Sequence, residues 1–504
     1  MTRSPRRSRT ALTLLVGVLV TSAFTAPRSA ASSTGPTVRG YLSGPTAAMH
    51  RLKDRRFSTG AARAGTTVVK VGTAKAGTAI TAGFGVAITD ASASLLLHDL
   101  DATHRAAVMR ELFSPSRGIG LSFLRVPIGG SDFITGGAPY TYDDQPSGRT
   151  DPDLSGFSLG RDRRTVLPVV RRARSLNPHI VVMANPWTPP AWMKTDDTLI
   201  TKTPLGTLRR RYYGAYAGYL VRAVKAFERQ GVPVRYLGVQ NEPYTPLLGS
   251  VVKIPSSFLT GLDEGSLIHD DLAPRLRKAK LSPRIVGYDD GYQRSETFIP
   301  LMMARASGDV ATFAYHCYYG DPSSMRIEGA LYPDVEQLET ECATNLSNIE
   351  PSEMIIRSLR NGASGVQLWN AVLDEHGGPK IGAGCVGLPL TGPGAGKDCT
   401  APVIVNRSTH RYRLTGDFWS LTQFSRFIRR GAVRVSSTSK SCFTSLLPSQ
   451  HCGVETVAYR NPDGSFVLVA TTHDGHPHKL TIEQGGRRFD ATLPDRATAT
   501  FVWR

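Results

Sequence analysis

Between residues 67 and 370, short apolar runs of strand length alternate with longer segments in which apolar residues recur every three or four positions. The runs at 80–88, 119–127, 180–185, 234–240, 284–288, 312–316, 337–341 and 365–369 predict eight strands. Segments 103–113, 161–176, 208–230 and 352–359 carry the helical period between them. Strand and helix alternating in this way over about 340 residues predict an α/β fold, a (β/α)8 TIM barrel.

Beyond position 429 the helical period stops. Runs at 433–437, 456–459, 466–471, 479–482, 489–493 and 498–503 predict a small all-β domain, with Asn461, Pro462, Asp463 and Gly464 as a hairpin turn. Strands near Val38 and Val68 have no helices of their own and are expected to pair into it. The predicted layout is a segment 32–79 that lends strands to an appended β-sandwich built from both chain ends, a barrel over 80–430, and the rest of the sandwich over 431–504.

The 504 residues are 40% hydrophobic and 20% charged, which excludes disorder, collagen and coiled coil as descriptions of the whole. One segment, 11–20, is mostly apolar; it follows Arg3, Arg6, Arg7 and Arg9 and precedes small residues. It is too short to span a bilayer, so residues 1–31 predict a signal peptide cleaved after Ala31 and a secreted, extracellular protein. Losing those residues, with five Arg and no acid, lowers the formal net charge from +19 to +14. No Lys/Arg run interleaves with aromatics, so nucleic acid is not an expected partner. The basic balance suits weak association with anionic cell-surface polymers or lipids.

Six cysteines in an exported chain point to disulfides. Cys385 with Cys399 and Cys442 with Cys452 bracket short loops and are the expected pairs, which leaves Cys317 and Cys342 reduced. A Cys317 to Cys342 bridge is the disfavoured alternative.

The chemistry gathers where the strands end. Arg125, Trp187, Asn241, Glu242, Asp289, Asp290, His316, Glu341, Trp369 and Asn370 each fall at the carboxyl end of a predicted strand, the active-site face of such a barrel. Strands four and seven lie on opposite sides, so Glu242 and Glu341 can face one another across a bound sugar. Glycoside hydrolysis needs such a pair, one carboxylic acid to protonate the leaving oxygen and one carboxylate to attack or activate water. Glu339, two residues before Glu341, is expected to point the same way, one layer or about 6 to 7 Å deeper, as a buried acid.

Several runs resemble glycoside hydrolase family thirty, the glucosylceramidase family. They are Gly83-Phe84-Gly85, Arg125-Val126-Pro127-Ile128-Gly129 with Asp132, the run from Asn185 through Trp187-Thr188-Pro189-Pro190-Ala191-Trp192-Met193-Lys194-Thr195, Gln240-Asn241-Glu242-Pro243, Tyr315-His316-Cys317-Tyr318, Thr340-Glu341-Cys342, and Trp369-Asn370. The resemblance implies a barrel plus β-sandwich, Glu242 as acid/base and Glu341 as nucleophile of a retaining mechanism. It further implies that Arg125 supports the nucleophile, that Asp132, Trp187, Asn241, Trp369 and Asn370 grip the sugar, and that His316 and Tyr318 stand beside the nucleophile. No metal and no cofactor are implied. The substrate is a β-linked glycoside or oligosaccharide, glycolipids included. The chain departs from the family pattern at Cys317, where Trp is usual, at Ser131, where Cys is common, and at Val86, where Gly is common. A glucosylceramidase-like β-glucosidase is the expected activity, with endo-β-1,6-glucanase, β-xylosidase or β-fucosidase as alternatives. A catalytically dead carbohydrate-binding barrel, the reading from another class, is opposed by the presence of both Glu242 and Glu341.

Overall fold

Eight parallel strands close into a barrel in chain order: Gly83–Ala87, Phe123–Pro127, Val181–Asn185, Tyr236–Gly238, Arg284–Gly291, Val310–His316, Glu336–Glu341 and Gly365–Leu368, the eighth pairing back onto the first. The computed structural model describes residues 35–44, 47–201, 206–244, 253–343, 349–382, 399–438 and 453–504. The expected signal peptide and Cys385, Cys442 and Cys452 lie outside the described residues, so neither expected local disulfide is described.

The barrel strands read as continuous apolar runs because both of their faces are covered. Inward, Phe123, Met183, Tyr236, Val286, Ala314 and Leu338 fill the barrel. Outward, residues such as Leu124, Val182, Leu237 and Phe313 pack against the helices. Helices Ala102–Phe113, Val166–Leu176, Tyr213–Arg229 and Pro351–Arg360 stand where the apolar period predicts them. A short sheet of Val372–Asp374, Val403–Asn406 and Arg411–Leu414 follows the eighth strand; at 3 to 4 residues each, these carried no periodic signal.

The sandwich draws on both chain ends. Thr37–Ser43 pairs antiparallel with Thr498–Trp503, and Thr67–Ala79 pairs antiparallel with Val433–Ser437 and parallel with His478–Gln484. Val38, Val69 and Val71 thereby share a core with Leu468, Leu480, Phe489 and Phe501. Backbone bonds fix this domain to the barrel: the Ile80 N–H donates to the Ala432 carbonyl at 2.9 Å and the Gly431 N–H to the Ile80 carbonyl at 2.7 Å. Arg357, on the helix before the eighth strand, adds an ion pair to Glu455, with Nε 3.1 Å from each carboxylate oxygen.

Candidate active site

Arg125, at the end of the second strand, has no exposed surface and organises the mouth of the barrel. One side of its guanidinium pairs with Glu341, and the other donates to Asp289 and, at 2.6 Å, to Asn241 Oδ1. Its Cζ lies 4.7 Å from the centre of the Trp187 ring and 5.6 Å from that of Trp369. The two indoles stack with centroids 5.1 Å apart. An indole face covers the apolar face of a pyranose and a buried cation beneath it attracts the ring electrons, so this wall suits a sugar.

The fourth strand ends in the run that carries Asn241 and Glu242. Gly238 is needed there, because a Cβ would overlap the Asn185 side-chain amide. The Asn241 N–H donates to the Pro186 carbonyl at 2.8 Å and the Glu242 N–H to the Asp289 carbonyl at 3.0 Å. The left-handed backbone of Glu242, φ +41°, turns its carboxyl to the mouth, where it keeps 17% exposure.

His316 ends the sixth strand and is fully buried. Its Nδ1 lies 3.0 Å from Glu242 Oε1 and its Nε2 3.2 Å from Asp289 Oδ1. Burial disfavours the imidazolium, but Glu341 and Asp289 outweigh it and hold the pKa well above the usual histidine range. Both ring nitrogens therefore donate. Tyr318 donates to Glu341 Oε1 at 2.9 Å. One oxygen each of Glu242 and Glu341 and a nitrogen of His316 all lie within 4.8 Å of one another. Burial raises the Glu341 pKa, opposed by His316 and Arg125.

Asp132 and Asn370 complete the mouth. Asp132 Oδ1 and Asn370 Nδ2 are buried with no hydrogen-bond partner among the described residues, an acceptor and a donor suited to sugar hydroxyls. Burial, then the Glu341 charge, raises the Asp132 pKa well above the carboxylate range. Asn370 is held by Thr89, whose hydroxyl donates to Oδ1 at 2.8 Å. In the run from Trp187 to Thr195, Trp187 faces the site, while Trp192 donates to the Asp143 carbonyl at 3.0 Å and buried Lys194 pins the loop through the Thr198 and Ser256 carbonyls at 2.6 and 2.7 Å.

Two expectations are corrected. Glu339 does not share the direction of Glu341. On the seventh strand Glu339 pairs with Tyr315 and Glu341 with His316, so Thr340 is an extra residue in the ladder and the alternation flips. Glu339 consequently points outward to Tyr292 and to Ser358 of the helix Pro351–Arg360, while the Thr340 hydroxyl turns inward to Asp289 Oδ1 at 2.7 Å. Cys317 and Cys342, in turn, are not reduced thiols but form a disulfide with a Cα separation of 5.2 Å. They directly follow the paired residues His316 and Glu341 on adjacent parallel strands, which brings the two side chains face to face. Cys399 is buried beside Lys380, whose Nζ lies 3.5 Å from its sulfur, and its expected partner Cys385 is outside the described residues.

Asp289 is the site residue to which sequence reasoning gave no role. It receives Arg125, Asn185, His316 and Thr340. Burial raises its pKa, yet Arg125 and His316 prevail and bring it down to about 2. Arg125 is therefore shared between Asp289 and Glu341 rather than reserved for Glu341. The signal was the Asp289-Asp290 pair at a strand end. Asp290, next along, is pushed up to about 7, by burial first and then by the Glu242 charge.

A barrel with two facing carboxylates under an indole wall defines a carbohydrate-active hydrolase. Residues 81–428 match the glycosyl hydrolase family 30 TIM-barrel domain and residues 431–501 the glycosyl hydrolase family 30 beta sandwich domain. The chain belongs to glycosyl hydrolase family 30 and is a glycosidase. It is 30% identical over 428 residues to an endo-1,6-β-D-glucanase of Neurospora crassa, covering 83% of this chain and 84% of that one. It is 26% identical over 445 residues to the lysosomal acid glucosylceramidase of Mus musculus, covering 84% and 81%. Among solved structures, an endo-β1,6-glucanase superposes with a TM-score of 0.75 at 26% identity over 92% of this chain and 99% of that one. SrfJ from Salmonella typhimurium superposes with a TM-score of 0.78 at 25% identity over 93% and 99%.

Proposed function

We propose that this glycosidase is secreted and cleaves a β-1,6-linked glucan by double displacement, with Glu341 as nucleophile and Glu242 as acid/base. The approach of the Glu242 and Glu341 carboxylates to within 4.8 Å carries the mechanism. Retaining enzymes hold their carboxyl groups about 5 to 5.5 Å apart, whereas inverting enzymes need about 6.5 to 9.5 Å to admit water. Glu341 Oε1 accepts from Tyr318 and Oε2 from Arg125, which orients the carboxylate for attack on the anomeric carbon. Glu242 protonates the departing oxygen, then takes a proton from the water that releases the sugar from Glu341. The His316 imidazolium, donating to Glu242 and to Asp289, fixes the direction of the acid through both steps. Trp187, Trp369, Asp132, Asn241 and Asn370 hold the sugar, and the protein needs no metal or cofactor for these steps.

The substrate reading rests on the relatives: the 30% identical fungal relative and a solved relative at TM-score 0.75 are both endo-1,6-β-glucanases. Glucosylceramidase-like β-glucosidase action, the leading expectation from the sequence, becomes the second reading because the mouse glucosylceramidase is 26% identical. The test is side-by-side incubation with β-1,6-glucan and with glucosylceramide in mixed micelles, products resolved by size and the first product followed by proton NMR. Mixed-length β-configured oligosaccharides are expected. Faster turnover of glucosylceramide would overturn the substrate, and an α-configured first product would overturn the mechanism.

A further inference from the structure

At the end of the barrel away from the carboxylate pair, where the strands begin, lies a cavity of about 560 Å³ lined by six arginines: Arg235, Arg284, Arg326, Arg360, Arg430 and Arg434. Asp334 and Glu336 are the two acids in the lining, which leaves an excess of four positive charges. Glu336 is already committed, to Arg284 at 3.0 Å and to the hydroxyls of Tyr236 and Ser364 at 3.1 and 2.7 Å.

The other five arginines form no ion pair with a carboxylate among the described residues, although the Glu455 charge acts on Arg360. Arg360, Arg430 and Arg434 direct N–H groups to backbone carbonyls: Thr456 at 2.9 Å, Thr81 at 2.7 Å and Ala76 at 2.6 Å. The guanidinium groups of Arg235 and Arg326 make no hydrogen bond or ion pair among the described residues. Arg434 Nε is buried without an acceptor. Burial and the neighbouring Arg434 cation both press the Arg360 pKa below its usual value. Arg235, Arg326 and Arg430 are exposed at its rim and Arg284, Arg360 and Arg434 half-buried; like charges gathered in one concave wall repel one another and favour a bound anion.

We propose that this cavity binds a phosphate-bearing group. Arginine forks match phosphate oxygens bidentately. A dianion answers an excess of four charges better than one carboxylate does, and the volume is that of a small-molecule site, about 300 to 1,000 Å³. The phosphate comes either from a free sugar- or glycerol-phosphate or from a phosphodiester polymer threaded past the barrel floor.

Titration calorimetry at low ionic strength with α-glycerophosphate, a glycerol-phosphate oligomer and acetate tests this on the full chain and on Arg235→Gln/Arg326→Gln. Saturable phosphate binding is expected, weakened at least about tenfold in the double variant, which loses two charge-assisted donors. Turnover of an aryl β-glycoside and the unfolding transition should not change. Tighter binding of the oligomer assigns the site to a polymer, and equal binding to a free phosphate. Absence of saturable binding, equal affinity in the variant, or acetate bound as well as phosphate would refute the site. Should the double variant not fold, Arg235→Ala is read in the same way.

Discussion

The Glu242 N–H donates to the Asp289 carbonyl at 3.0 Å, and both residues are left-handed, with φ of +41° and +47°. Such a conformation costs a residue with a side chain on the order of 1 kcal/mol or more, and persists where surrounding bonds over-determine it. Here the surroundings are Arg125, Asn185, His316 and Thr340, all donating to the Asp289 carboxylate. The fifth strand thus holds the backbone of the fourth in the shape that aims Glu242. Asp289 acts as a positioning residue.

Asp289→Asn removes one of the two anions, the other being Glu341, that keep His316 protonated. Its kcat should fall by on the order of a hundredfold, the scale of a small misplacement of a reacting group. With that negative charge gone, His316 loses its proton at lower pH, so the alkaline limb of the pH–rate profile should move to lower pH. A rate loss with an unmoved limb would mean that Asp289 serves folding alone.

Glu341→Gly should abolish turnover of every glycoside. Glu242→Ala should spare substrates whose leaving group needs no proton, and added azide should restore its rate and yield a β-glycosyl azide, read by product NMR. Glu339→Gln should remain active, because that carboxyl faces Tyr292 and Ser358 outside the barrel. A dead Glu339→Gln beside an active Glu341→Gln would reverse the assignment.

Glu339 also predicts a pH dependence of stability. Burial pushes its carboxyl up to about 8, against the opposing hydrogen bond from Tyr292. Above the unfolded value near 4.3 the unfolded chain releases this proton while the folded chain keeps it until about pH 8. The folded state therefore binds more protons across that window, and this contribution to stability falls as pH rises through it. Urea unfolding at pH 5 and pH 8 should show a smaller loss for Glu339→Gln than for the parent chain.

The Cys317–Cys342 bridge closes a loop of 25 residues. Loop-closure entropy alone makes it worth about 3.5 kcal/mol. Non-reduced peptide mapping should recover this pair, and Cys317→Ser/Cys342→Ser should unfold at lower denaturant. Because the two cysteines adjoin His316 and Glu341, the double variant should also lose kcat more than it gains KM. An unchanged unfolding midpoint would remove the bridge from the stability of the protein.

The eight strands, the β-rich tail and the residues at the barrel mouth were legible in the sequence for one physical reason: a strand covered on both faces must be apolar throughout, so a polar side chain at its end stands out. Arg125, Glu242, His316 and Glu341 were found on that contrast, and the resemblance added Asp132 and Tyr318. What local pattern does not encode is register. Thr340 is an extra residue against the sixth strand, and that one-residue shift, set by how two strands pair, sends Glu339 out to the helices and Glu341 into the mouth. The same pairing brings Cys317 to Cys342 across 25 positions, where spacing favoured nearer partners. Asp289 gained its place from four donors on four other strands, Arg125, Asn185, His316 and Thr340, contacts that exist only after the barrel closes. Side-chain chemistry and strand periodicity are properties of the chain; the direction of each carboxylate is a property of the closed hydrogen-bond ladder, and only the tertiary structure could decide it.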